Sequence, residues 1–318
     1  MVFRLRPLDL DNIHEHIFDR YTLLESLANG LSQDLGIHQR DEVVQLDIEP
    51  PIPTKAKGKR KAPKDLQPYN FTIRQSITGL NSSSNDNSTT GYVLWSTTPT
   101  FAQWLLYDAN ASPLREEDTD TNIPTIFSGL KSTAVVELGS GIAGILPIVL
   151  GDHVDHYVCT DQKGILNKLK YNIEENLLQF NRRRCVSEFL HLELPSNEDQ
   201  QRKSTRLEVM ELDWEKFNGT NPHTPLTRIS QECSTVFIVA MDVVYNDFLI
   251  GPFLKTLSQL RNYYLNQGLT TRCLIGIHLR AQDIVETFLE KAILDYDLPV
   301  CSVEDPFLEK TRVSLYYI

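Results

Sequence analysis

AVVELGSGIAG, residues 134–144, places a short apolar strand directly before three glycines spaced as GxGxxG. The next residues, ILPIVLG, read as a helix, so the unit is strand, glycine loop, helix. Outward from it the chain alternates strand and helix, the pattern of a parallel α/β sheet. HYVCTD (156–161) reads as the next strand. GILNKLKYNIEENLLQF (164–180) follows as an amphipathic helix with Ile165, Leu169, Ile173, Asn176 and Leu177 on one face. LEVMELDW (207–214) is a further strand. VFIVAMDVVY (236–245) is a central one, its unbroken apolar run fitting burial on both faces. A helix (Leu249 to Tyr264), a strand (Cys273 to Ile277) and a helix (Ala281 to Leu294) come next. Two strands, near Val300 and from Val313 to Ile318, close the chain as an antiparallel hairpin.

Before this sheet the pattern differs. Leu10, Ile13, Ile17, Tyr21, Leu24 and Leu27 recur at helical steps, with Gly30 as the stop. Val44, Leu46 and Ile48, then Tyr69, Phe71 and Ile73, alternate with polar residues as two half-buried strands. Their connection carries the basic run KAKGKRKAPK (55–64). A nuclear import signal and a contact to RNA are its functional readings, and a solvated loop its plain one. NSSSNDNSTT (81–90) and REEDTDTN (115–122) are polar loops, and Thr98-Pro99 reads as a cap and first turn of a helix showing Phe101, Trp104 and Leu105. The division expected is an N-terminal extension, 1–90, and a catalytic domain, 91–318.

Composition narrows the function. Across 318 residues, 31 Lys and Arg face 42 Asp and Glu, a net charge of −11. An acidic chain is not one that grips nucleic acid over its whole surface. The charge is uneven: residues 51–70 carry +5 and the remainder −16. No apolar run approaches the roughly 20 residues of a membrane span. The opening residues show no secretory signal. Five scattered cysteines and no CxxC pair indicate neither a zinc site nor a disulfide framework, and point to a reduced compartment. No metal ligand set is expected.

As letters, GxGxxG with Asp161 twenty residues beyond Gly141 serves NAD and S-adenosylmethionine alike: glycines admit a ligand to the backbone and the carboxylate takes a ribose hydroxyl pair. Glu137 favours the second ligand, since a carboxylate there repels a pyrophosphate but suits an ammonium and a sulfonium. Trp214, at a strand end beside Asp213, can cover an adenine face. Asp242 and Tyr245 leave the buried strand where an acceptor amine would enter. An NAD-dependent oxidoreductase and a non-catalytic binding protein of the same fold remain the alternatives.

ELGSGIAG, TDQK, NIEEN, LDW and DVVY, preceded by GYVLW, stand in the order and approximate spacing of the seven-β-strand (class I) protein-lysine methyltransferases, which this chain resembles from about Gly91 onward. STTGYVLWSTTP, TDQKGILNKLK, GPFLKTL, FLEKAI and the N-terminal FRLRPLDLDNIHEHIFDRYTLLE and LSQDLGIHQR are similar to fungal members acting on ribosomal proteins. The resemblance implies a Rossmann-like seven-stranded α/β sheet, mostly parallel with its last strand antiparallel, behind a helix and β-hairpin extension. It implies S-adenosyl-L-methionine as donor, held by Trp95, Glu137, Gly139, Ser140, Gly141, Asp161, Trp214 and Met241. Asp242 and Tyr245 would be the catalytic residues, holding the acceptor. The implied acceptor is a lysine of a large-subunit (60S) ribosomal protein, monomethylated in the cytoplasm.

Overall fold

The computed structural model describes residues 4–27, 36–49, 68–80, 90–108, 132–180, 183–190, 203–220 and 222–318. The expected stop at Gly30, the basic run 55–64, residues 115–122 and nearly all of 81–90 lie outside them. Among the described residues no helix is long and apolar enough to cross a membrane.

The strands are β1 (Arg4–Pro7), β2 (Val43–Ile48), β3 (Tyr69–Arg74), β4 (Thr133–Leu138), β5 (His156–Asp161), β6 (Arg184–Val186), β7 (Ser204–Glu211), β8 (Thr235–Met241), β9 (Thr270–His278), β10 (Cys301–Glu304) and β11 (Val313–Tyr317). The longer helices are α1 (Ile13–Leu27), α2 (Thr97–Gln103), α3 (Ile145–Val149), α4 (Lys163–Glu175), α5 (Thr224–Glu232), α6 (Asp247–Asn266) and α7 (Gln282–Leu294). The main sheet runs β1-β10-β11-β9-β8-β4-β5-β7-β6. Its inner seven strands match the expected sheet, with β11 antiparallel to β9 and to β10. Two short strands extend its edges: β6, parallel to β7, and β1, antiparallel to β10. The first residues described therefore join the main sheet itself.

β8 is the middle strand, and β4 beside it pairs Val136 with Val158 of β5 on one side and with Ile238 of β8 on the other. Every residue of β4, β5 and β8 is buried, because helices cover both faces. Alternate side chains feed two cores. Val135, Tyr157, Phe237 and Val239 pack with α2, α3 and the β2–β3 hairpin, whereas Ala134, Val136 and Ile238 pack with α1, α6 and α7. The hairpin pairs Val44 with Ile73, Leu46 with Phe71 and Ile48 with Tyr69, so all six apolar side chains share one buried face. Truncating Phe71 to Ala there costs about 3–5 kcal/mol.

The outer edge of β3 is closed by amide side chains. Asn172 of α4 accepts from Arg74 N and donates to Arg74 O, and Asn176 does the same for Thr72. Gln179 accepts from Asn70 N. Four helical residues rise about 6 Å and two strand residues about 6.6 Å, so the two repeats stay in register. Asn172 also donates to Ile142 O in the glycine loop, tying hairpin, α4 and loop together.

Several sequence boundaries are corrected. The run 236–245 is a strand only to Met241; Asp242 leaves it at φ +62°, which ends the ladder. The strand placed at 207–214 spans 204–211. Trp214 lies in the following turn, where Lys216 N and Phe217 N donate to Asp213 O. The helix of 164–180 ends as α4 at Glu175 and continues as one 3-10 turn. Thr98 is not the cap of α2: Ser96 is, so Thr98 sits within the first turn. β1, β6 and α5 were not foreseen.

Candidate active site

After β4 the chain builds β5 and β7 on one side, then crosses to β8 on the other. That reversal opens a crevice beyond the carboxyl ends of the strands, where open α/β sheets bind ligands. A cavity of about 290 Å³ lies there. Its floor is Gly139 to Ala143 after β4, and its walls are Asp161 and Gln162 after β5, Leu212 to Lys216 after β7, and Met241 to Val243 with Tyr245 after β8. Thr90, Gly91, Val93 to Trp95 and Thr98 close it from the N-terminal side.

The glycine loop is shaped by backbone needs. Gly139 and Gly141 have φ of +70° and +59°, and a Cβ on Gly139 would stand 2.6 Å from Val243 Cγ1. Ser140 N donates to Thr160 O, and Ile142 N to Gly91 O, which joins the loop to the segment bearing Trp95. Asp161 accepts from Gly141 N and Gln162 N, both at 2.7 Å. Burial nevertheless raises its carboxyl to about 6, against those two bonds. Gln162 Oε1 is buried in this wall with no partner in the structure, an acceptor placed for a ligand's donor group.

All the residues singled out from the sequence except Glu137 line this cavity. Glu137 is 3% exposed, accepts a hydrogen bond from the Tyr157 hydroxyl at 2.9 Å, and interacts with Ser140, which does line it. Burial pushes the Glu137 carboxyl up to about 8. Asp213 binds the ammonium of Lys216 and accepts from Glu215 N. Trp214 packs against Phe253, ring centroids 5.3 Å apart. The Tyr245 hydroxyl is raised by burial, which outweighs its bonds to Thr90.

Sequence reasoning missed Arg280. From the turn after β9 its guanidinium grips both Asp242 oxygens, Nη1 to Oδ1 at 2.8 Å, and lies over the Trp95 ring at 4.7 Å. The Asp242 side chain is 1% exposed and that of Arg280 21%, so the carboxylate is buried beneath a half-buried guanidinium. Its local signal is slight, a single arginine after a strand 38 residues from its partner. Gln162 was the other residue missed, although it stands inside TDQK.

A family model described as "Lysine methyltransferase" matches residues 76–292. This chain belongs to the lysine methyltransferase family. A Zygosaccharomyces rouxii protein named Ribosomal lysine N-methyltransferase 5 is 84% identical over 318 residues, covering the whole of both chains. A Saccharomyces cerevisiae protein of the same name is 41% identical over 366 aligned positions, again covering both completely. A solved structure described as "PigF with SAH" aligns at a TM-score of 0.30 and 10% identity, over 58% of this chain and 49% of that one, too slight a likeness to carry an argument.

The donor of this lysine methyltransferase family is S-adenosylmethionine, and the cavity fits it. Two positive-φ glycines admit a ligand to the backbone, a buried carboxylate and an orphaned amide oxygen stand side by side, and two indoles flank the space.

Proposed function

We propose that this enzyme transfers a methyl group from S-adenosylmethionine to a lysine of a ribosomal protein, one of the large subunit, and stops at monomethylation. The observation that carries the reading is full-length 84% identity to a protein named Ribosomal lysine N-methyltransferase 5, joined to a cavity able to take the donor. A cytoplasmic site of action goes with that acceptor.

When bound, S-adenosylmethionine supplies an electrophilic methyl on a sulfonium, which departs as a thioether while the amine forms its N–C bond. The chain's own part is alignment and exclusion of water. Asp161 receives the ribose hydroxyls and Gln162 Oε1 a neighbouring donor. Trp95 and Trp214, with Gly139, Ser140, Gly141 and Met241, would hold the nucleoside. Glu137 acts from behind, through Ser140 and Tyr157. Tyr245 orients the acceptor amine with its hydroxyl and ring face. Asp242 shapes that end of the cavity; Arg280 already occupies both of its oxygens, so further contacts use its remaining lone pairs. The acceptor's proton leaves to water.

The test is labelled methyl transfer to ribosomes from cells lacking the enzyme, followed by mapping of the labelled residue. Label on one lysine of one large-subunit protein supports the reading; label on nucleic acid, or none, overturns it. Thermal stabilisation by S-adenosylhomocysteine and not by NADH separates it from an oxidoreductase.

A further inference from the structure

α6 carries its buried residues, Ile250, Phe253, Leu254, Leu257, Leu260 and Tyr264, on one stripe toward the sheet. Phe248 lies about 200° from Ile250 around that helix, on the water side, and is 87% exposed. An aromatic ring there does nothing for the core. Its place is specific: it stands three residues after Tyr245 and one before Leu249, both in the cavity wall. Its backbone is fixed, because Asn246 Oδ1 caps Phe248 N at 2.9 Å. The surface beside it is open. Gly251, one turn on, has nothing within 4 Å of where a Cβ would stand, and Pro252 has no N–H for the Phe248 carbonyl.

The charges nearby carry a slight acidic excess, three acids against Lys216 and Lys255, the latter exposed two turns on along the same helix face. Asp247 is exposed in the same turn, and across the mouth stand Asp213, Glu215 and Lys216, with Asp213 holding the Lys216 ammonium. A basic segment is favoured at such a rim, and an apolar side chain beside the lysine would find the Phe248 ring.

We infer that Phe248, with Gly251 and Pro252, forms a ledge that docks the acceptor protein, taking an apolar residue next to the target lysine in a basic segment. The inference rests on the proposed function, since it supposes a protein acceptor entering at Tyr245. Phe248 is a specificity residue with no contact to donor or amine.

The experiment uses the full chain with Phe248→Ser and Phe248→Leu, and large subunits from cells lacking the enzyme as acceptor. Phe248→Ser raises the KM for the subunit about 10- to 100-fold, the worth of one buried aromatic side chain. Its kcat and its affinity for S-adenosylhomocysteine stay at wild-type values, and Phe248→Leu recovers most of the loss. An unchanged KM in Phe248→Ser overturns the ledge alone. So does a parallel fall in S-adenosylhomocysteine affinity, which would make the residue part of the donor site. A wild-type dimer that Phe248→Ser dissociates would show that a second copy covers the ring. No transfer by the wild-type enzyme while S-adenosylhomocysteine still binds overturns the acceptor reading, and the ledge falls with it.

Discussion

Replacing Asp242 by Asn and Arg280 by Met, singly and together, probes the buried pair beneath the acceptor end of the cavity. Asn tolerates the left-handed backbone at position 242, where φ is +62°, so Asp242→Asn removes charge without adding strain. Arg280→Met leaves the Asp242 carboxylate, 1% exposed, without its guanidinium and costs about 3–5 kcal/mol. Asp242→Asn leaves Arg280, 21% exposed and still within reach of water, and costs less, about 1.5–3 kcal/mol. Arg280→Met also forfeits the guanidinium stacked at 4.7 Å on Trp95, about 0.5–2 kcal/mol more. The double variant strands neither charge, so it should be no worse than the harsher single, a coupling at least equal to the milder single's cost, about 1.5–3 kcal/mol. Urea unfolding followed by tryptophan fluorescence measures the three differences. In parallel, S-adenosylhomocysteine affinity should fall in Arg280→Met as the Trp95 wall loosens, and Arg280→Lys should recover it only partly, lacking the fork. Additive costs within about 0.5 kcal/mol would refute the claim that Arg280 and Asp242 act as one unit.

The remaining predictions follow from single groups. The Asp161 carboxyl is raised from 3.8 to about 6, so its contribution to the stability of the free protein is present below 3.8 and lost as pH rises through 6. In the role proposed for Asp161 the ionised form binds the donor, so S-adenosylhomocysteine affinity measured calorimetrically should rise with pH up to about 6 and then level, by at most roughly tenfold per unit. Asp161→Asn removes that dependence. Glu137, raised from 4.5 to about 8, stabilises the free protein below 4.5 and loses that contribution as pH rises through 8; a melting profile of Glu137→Gln should be flatter over this range. Gly139→Ala combines a positive φ with a 2.6 Å clash and should lower donor affinity at least about tenfold, whereas Gly268→Ala, at φ +80° in open space, costs only the backbone strain of about 1–2 kcal/mol. Asn172→Ala loses three hydrogen bonds, about 3 kcal/mol, and should weaken donor binding through Ile142; Asn176→Ala should free the Thr72 amide to hydrogen exchange while leaving donor affinity intact.

What the sequence revealed follows from the range of the forces involved. β4, β5 and β8 are buried on both faces, and a continuous apolar run records that directly. The glycine loop is legible because positive φ restricts the residue type at each position. β1, with the sequence RLRP, was invisible because a short edge strand needs no apolar alternation; it is held by backbone pairing to β10. α5 does carry a signal, Thr224-Pro225 at its start, which could have been used. Trp214 was placed one element early because alternation does not mark where pairing stops. Arg280 is the instructive miss. Nothing in its neighbourhood says that it will close on Asp242, since that contact exists only once β8 and β9 lie side by side.

The most direct test of the account is the intact mass of large-subunit ribosomal proteins from cells lacking this gene, rescued with the wild-type chain or with Gly139→Ala. One protein should gain a single methyl group with the wild-type chain, and not with Gly139→Ala expressed at the same level. Identical masses in both strains, or a gain that survives Gly139→Ala undiminished, would contradict the claim that the cavity beyond β4 and β8 delivers the methyl group.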